Sequence, residues 1–223
     1  MKFTKTSFGL ANWAGLLTLL LMVASASVRA EEALSPPQLV IQQTSNTLQK
    51  SLQKPEYKSD FAKATQFVEQ TIEPYVDFDR VSILALGKYW RTATPEQKTR
   101  FKKEFRTLLV RTYTTAFTEY ANWNIRYLPL QLQPSDTKTL VRTEILQAGA
   151  QPVAINYRMI NENGKWKVFD VLIEGISLIQ NYRISFTSEI SKTGSMDGLL
   201  AQLAQRNASA HKEPVANKPK SAS

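Results

Sequence analysis

The hydrophobic period of this chain changes near Trp123, and that change restricts it to folds that keep helices and strands in separate blocks. Before Trp123, apolar residues recur at three- and four-residue steps; after it, they alternate in short runs rich in branched and aromatic side chains. Helical runs followed by consecutive strands argue for an α+β domain built on an antiparallel sheet, not for alternating βαβ units.

The longest helical run opens at Thr94-Pro95-Glu96-Gln97. Thr94 offers a capping oxygen, Pro95 takes the first helical position where its missing N–H costs nothing, and Gln97 can return a bond to the cap. Phe101, Phe105, Leu108, Leu109, Thr112, Tyr113, Ala116, Phe117 and Tyr120 then make one face apolar. Arg100, Lys103, Glu104, Thr107 and Arg111 mark the opposite face as basic and solvated. Upstream, residues 36–72 should form two helices, parted at Lys54-Pro55 and closed by Pro74. Leu39, Val40, Thr44, Thr47 and Leu48 would supply the apolar side of the first. Asp77 should cap a short helix carrying Val81, Leu84 and Ala85 that stops at Gly87.

Four strands are expected at residues 125–132, 139–146, 153–160 and 166–173, with a tight turn at Asn163-Gly164 and another hairpin between Gly149 and Pro152. In the third, Val153, Ile155, Tyr157 and Met159 share a face opposite Asn156 and Arg158, the pattern of a sheet with one buried side. Strict alternation in the fourth sets Phe169, Val171 and Ile173 against Trp166, Val168 and Leu172, which predicts apolar cover on both faces. Asp170 would then point inward with Trp166 and Val168 and require a cation, from Arg142 or Arg183. Helical patterns return at 176–190 and 196–206.

Composition removes several function classes. The 223 residues include no Cys and one His, so thiol nucleophiles, disulfides, Cys-ligated zinc and multi-histidine metal sites are excluded. Residues 1–30 read as a cleaved signal peptide: Lys2 and Lys5 precede an apolar core from Leu16 to Val23, and Val28-Arg29-Ala30 supplies the cleavage site. Removing them leaves 25 basic against 19 acidic residues, a surplus of +6. The stretch from Lys88 to Arg111 holds eight basic residues against Glu96 and Glu104, so this one segment equals the whole surplus. Such a patch suits phosphate head groups, an anionic membrane surface or an acidic protein partner, whereas nucleic acid lacks any accompanying recognition motif. Residues 207–223 are small, polar and basic, and are expected to be a disordered tail.

No catalytic constellation appears. Asp77 and Asp79 read as helix caps, Asp170 and Glu174 as structural, and there is no phosphate-cradling glycine loop, nucleophile elbow or metal-ligand spacing. The residues alone therefore indicate a non-enzymatic, exported α+β domain (residues 31–206) without catalytic or metal-binding residues.

The order of several motifs resembles the MlaC family, also called toluene-tolerance or ABC-transporter auxiliary proteins. They are Pro74-Tyr75-Val76-Asp77-Phe78, Leu86-Gly87-Lys88-Tyr89-Trp90, Ala93-Thr94-Pro95-Glu96-Gln97, and the run from Trp166 through Asp170 and Gly175 to Ser177. The resemblance implies an NTF2-like α+β fold in which helices pack on a curved, four-stranded antiparallel sheet around an apolar pocket. It also implies a monomeric periplasmic shuttle for glycerophospholipid that maintains outer-membrane lipid asymmetry, with lipid as cargo and no cofactor. Its expected partners are an inner-membrane ABC transporter with a hexameric MCE-domain protein and an outer-membrane lipoprotein–porin complex.

On that reading, Trp90, Phe105, Leu109, Tyr113, Ile176 and Ile179 border the cavity from the helical side. Val141, Ile145, Val153, Ile155, Tyr157, Val171 and Ile173 border it from the sheet. Gly175 would let the backbone pass close to the mouth or would serve simply as a turn glycine. Lys98, Arg100, Lys102, Lys103 and Arg106 would meet lipid phosphates or acidic partners, or be merely solvated. A binder of smaller apolar solutes, a ligand-free adaptor of the transporter and a hydrolase using Asp77, Asp79 or Asp170 are the competing functions.

Overall fold

Every long helix before the sheet starts where the sequence supplies a cap. In the computed structural model, which describes residues 33–119 and 123–209, α1 (Pro36–Leu52) begins with a reciprocal bond between Ser35 and Gln38. After a single turn, α2 (Pro55–Lys58), the Asp60 carboxylate accepts the Lys63 N–H to start α3 (Phe61–Ile72). Pro74 sits in a 3-10 turn, Glu73–Tyr75, that ends this arm. Asp77 caps α4 (Phe78–Leu86), and Gly87 stops it at φ 59°. The short α5 (Tyr89–Thr92) leads into α6 (Pro95–Glu119), where Thr94 and Gln97 exchange the two bonds of a capping box.

The strands follow as β1 (Asn124–Tyr127), β2 (Lys138–Leu146), β3 (Val153–Glu162), β4 (Lys165–Ile173) and β5 (Ile176–Ser177), paired antiparallel in chain order. Asn163 and Gly164 take positive φ in the β3–β4 turn, as the Asn-Gly pair requires. The fifth strand corrects the four-stranded expectation: Ile176 and Ser177 pair with β4 before Ser177 caps α7 (Leu178–Thr193). β1 is half its expected length, because Pro129 cannot donate to the ladder and the chain leaves the sheet after Leu128 bonds Arg142. The last helix, α8 (Met196–Ser209), runs past the expected start of the tail, and Asn207 is buried in it. The leader at 1–30 and the tail from 210 lie outside the described residues.

A bulge in β4 overturns the expectation of two apolar faces. Arg158 pairs with Asp170 but Met159 pairs with Val168, so Phe169 is an extra residue. The alternation resets there, and Trp166 and Val168 join Val171 on one side, in a cluster with Val141, Met159 and Ile41 of α1. Asp170 faces the other way. Its cation is Arg158, the cross-strand neighbour, at 2.9 Å; Arg183, one expected partner, instead bonds the Leu84 carbonyl.

The buried face of α1 is also shifted from its expected position. Gln38, Ile41, Ser45, Leu48 and Leu52 point inward, while Leu39 and Thr47 are exposed. Arg111, assigned to a solvated stripe, is only 6% exposed, because α8 packs on α6 and the Arg111 guanidinium donates to the Asn207 carbonyl. Asn207 in turn bonds Glu104, which fastens the end of α8 to α6. Burial also pulls the Arg111 guanidinium below its ordinary pKa.

Candidate functional site

The apolar interior is divided. One cluster is helical: Phe101 and Phe105 of α6 with Phe186 and Ile190 of α7, Leu199, Leu200 and Leu203 of α8, and Val81 and Ala85 of α4. Its centre is four aromatic rings, with Phe105 5.1 Å from Phe186 and 4.9 Å from Tyr182. A second lies on the sheet under α1, and a third joins α1, α3 and Val110 of α6. A filled two-layer domain would normally give one contiguous core.

Packing between elements explains the division. The strands meet chiefly α1, α4 and α7, whereas α6 packs chiefly on α8, α3, α4 and α1. Leu108, Leu109 and Tyr113 on α6 are nevertheless only half-buried, as are Ile155, Tyr157, Val171 and Ile173 on the sheet. Two half-buried apolar surfaces, one on α6 and one on the sheet, are therefore left incompletely covered. The tyrosines carry the same message. Burial raises the hydroxyls of Tyr157, Tyr113 and Tyr182 above the ordinary phenol range, although each residue is only half-buried. Tyr113 and Tyr182 bond one another on the helical wall.

Cross-strand register fixes the sheet wall. Val141 faces Tyr157, Thr143 faces Ile155, Ile145 faces Val153, and Tyr157 and Ile155 face Val171 and Ile173. Paired residues share a face, so all seven expected sheet residues stand on one surface. Register adds Thr143 and Tyr127, which the linear pattern did not single out. One end of this wall is closed by Val141, Met159, Trp166 and Val168, all under 9% exposed. The other ends in Ile145, in Val153 at 39% exposure and in Ile176 at 58%. The surface is thus sealed at one end and has an apolar rim at the other.

Other expected residues fall elsewhere. Phe105 and Ile179 are enclosed within the helical cluster. Trp90 packs on that cluster with the Lys98 ammonium 5.6 Å from its ring. Gly175, at φ 79°, stands in the turn between β4 and β5, where a Cβ would meet nothing within 4 Å. Of the basic stripe, Lys102 pairs with Asp79 at 2.9 Å, and Arg106 pairs with Glu69 and Glu73 while lying over the Phe78 ring. Arg100 and Lys103 are exposed. Asp77 is engaged as a cap and by Arg80 at 2.9 Å, whose guanidinium is raised above its ordinary pKa chiefly by Glu162 and then Asp77. Among the described residues no His, Cys, Asp and Glu cluster could hold a metal ion, and no helix is long and apolar enough to cross a membrane.

Comparisons with known proteins meet this geometry. The family model described as "MlaC protein" matches residues 42–205. The Haemophilus influenzae protein named "Intermembrane phospholipid transport system binding protein MlaC" is 27% identical over 202 residues, spanning 88% of this chain and 93% of its own. The "Toluene tolerance protein ttg2D" of Pseudomonas putida is 28% identical over 208 residues, 90% and 94% of the two chains. A solved structure of a phospholipid-binding protein from Ralstonia solanacearum, in complex with a phospholipid, is similar with a TM-score of 0.73 and 33% identity. It covers 80% of this chain and 100% of its own. With the family model spanning most of the described helices and the whole sheet, this chain belongs to the MlaC family.

Proposed function

We propose that this protein is a periplasmic carrier of glycerophospholipid, with the acyl chains between α6 and the sheet and the head group at the rim formed by Val153 and Ile176. The observation that carries this reading is the row of half-buried apolar side chains on one face of the sheet, with Leu109 and Tyr113 of α6 likewise only half-covered. Two acyl chains contain on the order of 30 methylenes at about 0.8 kcal/mol each, so exposing them would cost roughly 25 kcal/mol. A carrier must enclose them, and non-directional apolar side chains suffice. The sheet face with Leu109, Tyr113 and Ile176 forms the lining, while Phe105 and Ile179 support it from behind. No covalent step is needed. The phospholipid in the Ralstonia solanacearum structure and the name of the Haemophilus influenzae relative support the cargo class.

The carrier would act as a monomer after removal of residues 1–30, moving lipid between the inner and outer membranes and so maintaining outer-membrane asymmetry. It would exchange cargo with an ABC transporter bearing a hexameric MCE-domain protein and with an outer-membrane lipoprotein–porin complex. Arg100, Lys103 and Lys98 are the cations offered for those contacts, since Lys102 and Arg106 are already paired within the chain. Native mass spectrometry of the purified mature protein tests the cargo: a one-to-one adduct of diacyl phospholipid mass is expected, and ligand-free protein after mild purification from a phospholipid-containing host overturns the reading.

A further inference from the structure

The apolar sheet wall carries three hydroxyls at one level. Tyr127 stands directly across from Thr143, and Tyr157, opposite Val141 on the next strand, brings its hydroxyl within bonding reach of Thr143. Thr143 is fully buried and donates to the Ile155 carbonyl, so its own proton is committed. The Tyr127 hydroxyl has no hydrogen-bond partner among the described residues, and the ring packs against the sheet cluster under α1. On α1, Thr44 follows Val40 and Ile41, which pack on that cluster, and its buried Oγ1 also lacks a partner. A half-buried phenol whose proton no side chain takes leaves that proton for water or a ligand to accept.

Depth identifies the ligand group. Thr143 lies two residues inside the rim residue Ile145, about 7 Å along the strand at the usual rise per residue. A glycerophospholipid whose phosphate stays at the rim brings its ester carbonyls to this level, above the hydrocarbon that the sealed end receives. Ester carbonyls accept hydrogen bonds and donate none, and Tyr127 has a proton to give.

We propose that the Tyr127 hydroxyl donates a hydrogen bond to an acyl ester carbonyl of the cargo, which fixes how deeply the lipid sits and selects ester-linked over ether-linked lipid. This contact rests on the carrier reading above. The test is competition on the delipidated full-length mature protein between a diacyl phosphatidylethanolamine and the dialkyl ether lipid of equal chain length and head group, read by native mass spectrometry. The wild type should favour the ester by about fivefold, the size of one neutral hydrogen bond, and Tyr127→Phe should take both lipids equally. Equal uptake by the wild type, or an ester preference that survives in Tyr127→Phe, overturns the contact while leaving the carrier intact. Uptake of neither lipid by the wild type overturns the carrier reading and the contact together.

Discussion

Arg158 of β3 reaches across to Asp170 of β4 at 2.9 Å, and the same carboxylate accepts the Ser177 hydroxyl at 2.7 Å and the Ile179 N–H at 3.3 Å. Asp170 is only 4% exposed, so it joins the sheet to the start of α7 through a buried acceptor. Asp170→Ala strands a hydroxyl and a backbone N–H and should cost about 2 to 3 kcal/mol in urea unfolding. Asp170→Asn keeps an acceptor for Ser177 and should cost less. An alanine variant as stable as wild type would show that these bonds add nothing.

The sheet wall predicts an asymmetry between its two faces. Val171→Trp or Ile155→Trp fills space proposed for hydrocarbon and should lower bound phospholipid at least about tenfold, a change of roughly 1.4 kcal/mol. Leu140→Trp, on the opposite face, should leave it unchanged, since Leu140 pairs with the outward Arg158. Lipid stoichiometry in variants that still unfold cooperatively is the measurement; equal loss at all three sites would remove the assignment of faces.

Buried phenols make the fold sensitive to alkali. Desolvation pushes the Tyr127 hydroxyl up to about 12 and raises Tyr113 and Tyr157 as well. The folded state therefore binds these protons more tightly than the unfolded chain, and the contribution is complete below the ordinary phenol value near 10. It falls as pH rises above that point, for Tyr157 by at most about 1.4 kcal/mol per pH unit. Urea midpoints measured from pH 8 to 12 should decline above about 10, and Tyr157→Phe should flatten the decline. A flat profile in the wild type would show the hollow to be wet.

Two glycines should respond differently to the same substitution. Gly175 needs only its positive φ, so Gly175→Ala should cost about 1 kcal/mol of backbone strain. Gly87 combines φ 59° and ψ −125° with the Arg183 side chain 3.3 Å from where a Cβ would stand. Gly87→Ala should cost more, about 2 to 3 kcal/mol, and disturb the Arg183 bond to Leu84. Thermal unfolding of the two variants side by side decides the order.

Local chemistry was legible without coordinates: the Asp77 cap, the Thr94–Gln97 box and the Asn163-Gly164 turn each depend on neighbours within four residues. The seven sheet residues on one face followed from simple alternation, because β2, β3 and the end of β4 beyond the bulge keep it. What failed depended on distant chain. Arg111 reads as solvated until α8 covers it, and Asp170 reads as a partner of Arg142 or Arg183 until register brings Arg158 opposite. Tyr127 joins the wall only once β1 is paired. The helical side was least legible, since spacing alone treats Phe105, ringed by aromatics, and Leu109, half-covered, as equals.

The supernumerary Phe169 makes β4 a strand of two parities. Deleting that one amino acid would restore a regular ladder with Val168 still opposite Met159 and Trp166 still inward, whereas keeping it while flattening the bulge would turn both outward. Comparisons that set this strand against a relative lacking the extra residue, without a gap, would therefore mistake inside for outside over half its length.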